Sequence, residues 1–462
     1  MSSDKYIECE IIVESYDTVR FRNKDTGAEF SGKLDLAPRC REIARFENLL
    51  RANQLKSRKA FEEFGTLLYR CLFNDGVDDA FKNILKDIRE SKRTENPNRY
   101  RLQLTFRPEV NELAGIPWEF LYYPNSETIK GRFLADEPNL VISRYIPSEL
   151  ERVDLNITGD SLKILVVTSE PEDRDKVLPH LTIETINNLR NNYLVYLEIL
   201  ENKKIEEVQG KINDIKPHIF HYIGHGEFDS QEQVGSIALV DTNKKAEWID
   251  DNTFGEFFRN FKPRLVILQA CQGGEVDFTA NYAGLAPQLT RNEIPAVIAM
   301  QYPVNNVVAS LFSEAFYEAL AKGESVDAAM QQGRGKIVRD DPSNRDKASH
   351  LEFYSNRNFG TPVLYMSARD GRIMPRPKPK KFDIEVLRSS TDKLEEAINI
   401  LFNSEELKDL IFCLDINYQE LNGKTPQAKI KALIDQLKES NELERLIGGI
   451  KEFKPDAFTQ NK

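Results

Sequence analysis

Cys271 stands at the end of the run Leu265-Val266-Ile267-Leu268-Gln269-Ala270 and is followed by Gln272-Gly273-Gly274. A thiol placed where a buried strand runs into a glycine turn is held on a rigid support and can still meet a substrate. His225 stands in the same way after His218-Ile219-Phe220-His221-Tyr222-Ile223-Gly224 and before Gly226, 46 positions (271 − 225) ahead of Cys271. A thiol with a pKa near about 8.5 is a poor nucleophile at neutral pH; the thiolate attacks. An imidazole beside it can take the thiol proton and later protonate a leaving amine. The tetrahedral oxyanion then needs donors, and the backbone N–H groups of Gly226 and Cys271 are the natural ones. Carboxylates follow both positions: Glu227 and Asp229 after His225, Glu275 and Asp277 after Cys271. Asp229 and Asp277 are the candidates for an acidic first pocket, which pairs with lysine or arginine in a substrate.

Other polar clusters carry less. His218 and His221 lie within a strand, where core or hydrogen-bonding roles are expected. A zinc site from His221, His225 and Cys271 lacks any Cys-x-x-Cys or His-Glu-x-x-His pattern, so no metal and no cofactor are expected. Asn422-Gly423-Lys424-Thr425 has Tyr418 where a phosphate loop has its first glycine, and reads as a turn before a helix. Gly333-Arg334-Gly335-Lys336 lacks the preceding strand that such a loop needs.

The elements that must position the pair alternate. Strand patterns at 162–168, 194–200, 218–223, 265–270, 296–301 and 363–366 are separated by helical patterns at 183–190, 205–215, 254–261, 283–291 and 307–321. This alternation implies a mainly parallel sheet covered by helices. Ligand sites in such sheets lie beyond the C-terminal ends of strands, and both His225 and Cys271 fall just past one. Ahead of this block, short strands at 6–13, 19–21 and around Phe30 precede two helical patterns, one through Phe61, Phe64, Leu67, Leu68, Cys71 and Leu72, the other through Phe81, Ile84, Leu85 and Ile88. Trp118 and its neighbours read as core packing. Behind the block, alternating prolines and lysines at 368–381 make a stiff, solvated linker. Residues 382–462 then show four short amphipathic helices, one opened by Thr425 as N-cap and Pro426 at the first helical position. They suffice for a small bundle with no Cys–His pair.

Composition sets outer limits. A chain of 462 residues is long enough for two or three domains. Its net charge of −11 argues against broad nucleic-acid binding. No apolar run approaches the roughly 18 residues of a membrane span. Met1-Ser2-Ser3-Asp4-Lys5 has no signal-peptide pattern, and five scattered cysteines suit reduced thiols, so a cytoplasmic setting is expected. No internal repeat of 20–50 residues is visible.

Gln269-Ala270-Cys271-Gln272-Gly273 fits a signature of caspases, whose histidine lies about 50 residues upstream. Together with Leu113-Ala114-Gly115-Ile116-Pro117-Trp118-Glu119, Gly224-His225-Gly226 and the closing strand at Thr361-Pro362-Val363, it resembles the CHAT family of caspase-like cysteine peptidases over roughly residues 90–367. The resemblance implies His225 as base and Cys271 as nucleophile. It also implies an α/β caspase-like fold for 91–367, a mainly parallel sheet flanked by helices. That unit follows an N-terminal α+β region (1–90) of no assigned family and precedes the linker (368–381) and a small all-α bundle (382–462). The bundle resembles effector-associated or death-like adaptor domains. The expected partners are a protein substrate and a recruiting or activating protein bound through the bundle. CHAT proteins often act as effectors in bacterial programmed cell death or antiphage defence, which is the implied setting. The alternative is a non-catalytic scaffold using the same fold; the intact Cys271–His225 pair favours the peptidase.

Overall fold

The computed structural model describes residues 6–92, 94, 97–126, 129–146, 162–177, 179–192, 195–229, 234–270, 285–291, 293–344, 353–368, 371–373, 382–402, 404–423, 426–455 and 458. Its strands are β1 (Tyr6–Val13), β2 (Thr18–Asn23), β3 (Glu29–Lys33), β4 (Arg99–Phe106), β5 (Tyr122–Tyr123), β6 (Arg132–Phe133), β7 (Leu140–Tyr145), β8 (Leu162–Thr168), β9 (Val195–Glu201), β10 (Ile219–Gly224), β11 (Gly226–Asp229), β12 (Val234–Val240), β13 (Ala246–Asp250), β14 (Leu265–Ala270), β15 (Ala296–Met300) and β16 (Pro362–Met366). Helices α1 (Cys40–Arg51), α2 (Arg58–Leu72) and α3 (Asp75–Ser91) come early in the chain. They are followed by α4 (His180–Asn192), α5 (Ile205–Ile215), α6 (Asp251–Glu256), α7 (Leu285–Arg291), α8 (Asn306–Ala321) and α9 (Val326–Asp340).

Eleven strands form one sheet in the order β3-β2-β1-β4-β7-β16-β15-β14-β10-β8-β9. Strands β8, β10, β14 and β15 run parallel to one another, β16 runs against β15, and β7, β4 and β1 follow β16 in parallel. The strands of the N-terminal region thus extend the central sheet. The sequence contains no local sign of this, because a parallel pair such as β1 with β4 joins segments separated by two strands and the three helices α1, α2 and α3. Strands β7, β10, β15 and β16 are buried along their whole length; β15 and β16 read as continuous apolar runs for that reason, whereas β7 also buries Ser143 and Arg144 and β10 buries His221. One face packs Leu165, Val167, Phe220, Tyr222, Val266 and Leu268 against Phe254, Leu285 and Leu289.

A separate three-stranded antiparallel sheet, β11-β12-β13, follows His225 directly. The sequence pattern does not call for strands there, since the segment is short and interrupted by Gly235 and Ser236. Gly333-Arg334-Gly335-Lys336 lies inside α9. A Cβ at Gly333 would come within 2.6 Å of the Phe312 ring of α8, so this glycine permits close helix contact.

The chain divides into two compact units, residues 1–186 with 196–375, and residues 187–195 with 376–462. In the second, α10 (Ile384–Ser389), α11 (Thr391–Leu401), α12 (Ser404–Cys413), α13 (Pro426–Glu439) and α14 (Leu443–Phe453) surround a core that includes Leu394, Ile398, Leu410, Leu433, Ile447 and Ile450. Pro426 opens α13, with its missing N–H at a position that has no helical partner; Thr425 lies outside the described residues. Cys413, which the periodicity puts on an apolar face, is exposed at the end of α12, next to Phe412 with 80% of its surface open. Among the described residues no helix is long and apolar enough to cross a membrane.

Candidate active site

Strands β10 and β14 are parallel neighbours, and their last paired residues are Gly224 and Ala270. His225 and Cys271 are the next residue on each chain segment. Cys271 and Asp277 lie outside the described residues. His225 and Gly226 lie inside them. Asp229 is there as the last residue of β11, paired with Val234.

His225 is half-buried and firmly held. Its Nε2 bonds the main-chain carbonyl of Asp175 at 2.8 Å. A carbonyl only accepts, so Nε2 carries the proton and Nδ1 is the basic nitrogen. The carbonyl of His225 accepts from the Ala238 N–H at 3.0 Å and from the Tyr222 hydroxyl at 2.9 Å. Burial lowers the imidazole pKa below the ordinary histidine value; the hydrogen bond to Asp175 opposes this and the Arg174 charge adds to it. The ring is therefore neutral at neutral pH, ready to take a proton. The loop that presents Asp175 is itself anchored: Asp173 accepts from the Ala246 N–H at 2.8 Å, and the Arg174 guanidinium lies 5.1 Å from the centre of the Trp248 ring. Sequence reasoning misses Asp175, because a main-chain carbonyl leaves no signature in residue type.

Gly226 opens β11, an edge of its sheet, opposite Ile237. The neighbouring pair, His225 with Ala238, is a hydrogen-bonded one. Antiparallel ladders alternate, so the Gly226 N–H points away from β12. Gly224 has a different reason to be glycine. A Cβ there would collide with the Tyr222 hydroxyl and come within 2.6 Å of its Cζ. That hydroxyl is fixed by bonds to the carbonyls of His225 and Ala238 and cannot give way cheaply. Gly224→Ala is therefore expected to cost about 1–3 kcal/mol, as overpacking does. Urea unfolding followed by tryptophan fluorescence checks this, with part of the loss recovered in Gly224→Ala/Tyr222→Phe.

His221 turns inward from β10, whereas His218 stands one residue ahead of that strand and is half-buried. His221 is buried, with Nδ1 2.9 Å from the Tyr317 hydroxyl of α8, and burial pushes its pKa down to about 3. His218 accepts from the Lys163 N–H at 3.0 Å, and burial pulls its pKa down to about 4. Gln269 is buried and donates to the Thr182 hydroxyl at 3.5 Å. Among the described residues no group of three or more metal-ligating side chains comes together.

A second polar centre lies at the C-terminal end of β15. Trp118 is core, with its indole donating to the Leu113 carbonyl at 2.9 Å. The adjacent Glu119 is buried too, and it pairs with Arg144 of β7 through two bonds, one of 3.1 Å from Nε. Gln301 donates to the same carboxylate at 3.2 Å and to the Gly360 carbonyl at 2.6 Å. Sequence reasoning reads this stretch as apolar core alone; the pairing of Glu119 with an arginine 25 residues away leaves no local pattern.

The structure is similar to the separase of the Saccharomyces cerevisiae separase–securin complex, at 13% identity and a TM-score of 0.42, covering 78% of this chain and 30% of that one. It is also similar to caspase-1 from Spodoptera frugiperda, at 15% identity and a TM-score of 0.31, covering 50% of this chain and 92% of that one. The chain thus spans less than a third of the separase it matches. No curated protein sequence matches it. The effector-associated domain 7 profile matches residues 394–455. The CHAT domain profile matches residues 62–373, more than half of the chain, and the protein accordingly belongs to the CHAT family, with a caspase-like cysteine-peptidase type of domain ahead of an effector-associated domain.

Proposed function

We propose that the protein is a cysteine endopeptidase in which Cys271 is the nucleophile and His225 the general base. The observation that carries this reading is the register of β10 and β14, which ends level at Gly224 and Ala270, with His225 fixed beyond by the Asp175 carbonyl. Nδ1 of His225 takes the thiol proton, and the sulfur attacks the carbonyl carbon of the peptide bond. The oxyanion accepts from the N–H groups of Gly226 and Cys271. The orientation of the Gly226 N–H, away from β12, supports its part. The imidazolium gives its proton to the leaving amine, which departs and leaves a thioester. Water, deprotonated by the same imidazole, then hydrolyses the thioester and restores the thiol. Asp229 and Asp277 provide an acidic first pocket that favours lysine or arginine before the cut. The test is mapping of new protein termini made by the wild type and absent with Cys271→Ala; no difference between the two overturns the assignment.

The effector-associated domain points to protein–protein interaction, and we assign to it the recruitment of the enzyme to a partner. The family resemblance supports a role as an effector in bacterial cell death or antiphage defence, and the unpaired cysteines Cys9, Cys40, Cys71 and Cys413 suit a reducing cytoplasm. Cutting the chain after Pro375, where the first compact unit ends, is expected to leave hydrolysis of a small peptide within about twofold of the full chain and to abolish partner pull-down. A folded fragment that is inactive on small peptides makes the second unit part of the catalytic assembly and contradicts this assignment.

A further inference from the structure

A pocket among the described residues stands apart from the dyad. It opens at the C-terminal end of β15 and is lined by Glu47 and Arg51 of α1 together with Pro117, Arg144, Gln301 and Tyr302. Register places it. Leu268 of β14 pairs with Ala299 of β15, so Ala270 stands level with Gln301, as Gly224 stands level with Ala270. Neighbouring strands are about 4.8 Å apart and an extended chain rises about 3.3 Å per residue. A peptide crossing the ends of β10 and β14 reaches this pocket within a residue or two.

The surroundings of the pocket carry an excess of positive charge. Arg144 is balanced by Glu119. Arg334 is buried and gives two bonds to the Pro362 carbonyl, while its Nη1 has no partner. Arg357 is buried, bonds the carbonyls of Leu50, Arg51 and Pro303, and lies 5.0 Å from the centre of the Tyr302 ring. Neither arginine has a carboxylate partner among the described residues. Burial pulls both down to about 10, which leaves them cations at neutral pH. Arg51 is exposed at the mouth; its charge acts on the Glu47 carboxyl one turn before it on α1, without a direct ion pair among the described residues. Arg51 and Arg144 line the pocket and Arg334 and Arg357 do not, so four guanidinium groups in and around it stand against two carboxylates, Glu47 and Glu119. Tyr302 is 7% exposed, lines the pocket, and has no hydrogen-bond partner for its hydroxyl among the described residues. Unmatched buried cations and an unused hydroxyl donor are costly unless an acceptor with negative charge joins them.

We infer that this pocket receives the carboxylate of an aspartate or glutamate side chain of the peptide substrate, one or two residues from the cut bond, with Arg51 and the Tyr302 hydroxyl as its contacts. The inference rests on the peptidase reading and adds a subsite to it. The test uses the full chain and peptides with lysine or arginine before the cut, each made in two versions, with Glu or with its uncharged isostere Gln at one flanking position. At one position the Glu peptide is expected to be cleaved with a kcat/KM about tenfold higher, mainly through KM, and the ratio should shrink at high salt. Arg51→Gln and Tyr302→Phe should each bring the Glu/Gln ratio toward one. Equal cleavage of both versions at every position overturns the pocket and leaves the peptidase standing, and so does a Glu preference that neither variant moves. In parallel, fluorescence anisotropy reads binding of the labelled peptides to Cys271→Ala protein. If no peptide is cleaved but Glu versions bind more tightly than Gln versions, the peptidase reading fails and the pocket survives. Equal binding of the two versions overturns the pocket whether or not cleavage occurs.

Discussion

Cys271→Ala should abolish peptide cleavage, and His225→Ala should lower kcat/KM by about 10²–10⁴, the range a positioned general base contributes. The nucleophile cannot be replaced, because no other group in the proposed reaction can form the thioester. The base can be replaced in part, since water still accepts protons slowly. Both variants should keep their fold, and circular dichroism with tryptophan emission checks this. His221→Ala is the informative control. It leaves the Tyr317 hydroxyl without its partner and opens a cavity under the sheet, so it should lower stability while cleavage per folded molecule persists. Loss of cleavage in a folded His221→Ala protein, with His225→Ala still active, assigns the base to the wrong histidine. The pH profile gives a second readout. Burial depresses the pKa of His225, so the imidazole stays neutral to lower pH than a free histidine. The acid limb of kcat/KM in the free enzyme should accordingly lie below about 6.5.

Glu119→Ala should be the most destabilising single change at the β15 end of the sheet, at about 3–5 kcal/mol, the cost of breaking a buried ion pair from one side. Arg144 would remain buried at 2% side-chain exposure with no opposite charge, and Gln301 would lose one acceptor. Arg334 would lose the attraction of the same carboxylate. The protein has two tryptophans, Trp118 and Trp248, both in the first compact unit, so urea unfolding followed by their emission reports on this unit. Replacing both partners, as in Glu119→Leu/Arg144→Met, should recover part of the loss, because two apolar groups leave no orphaned charge from the pair. Equal destabilisation of the single and double variants would mean that shape and not charge sets the cost.

Local patterns were enough to reveal the fold class. Apolar runs of strand length alternating with periodic helices yield a mainly parallel sheet with helices around it, and the four amphipathic faces after residue 382 yield a helical unit. These features are legible because burial on both faces of a strand, or on one side of a helix, is written into residues a few positions apart. The candidate pair is legible for the same reason: His225 and Cys271 each follow a strand that announces its own end with glycine or a thiol. Other features depend on residues far apart in the chain, and these appear only once the chain is folded. The pairing of β4 with β7, and of β7 with β16, carries the sheet into the N-terminal region. Asp175 reaches His225 through a main-chain carbonyl that any residue could supply. Glu119 meets Arg144, and Arg51 comes to the end of β15, across separations that no periodicity encodes. Periodicity records which face of an element is buried; which distant element lies against that face is settled by long-range packing and by the need to match buried charge, and neither is a property of any short stretch of chain.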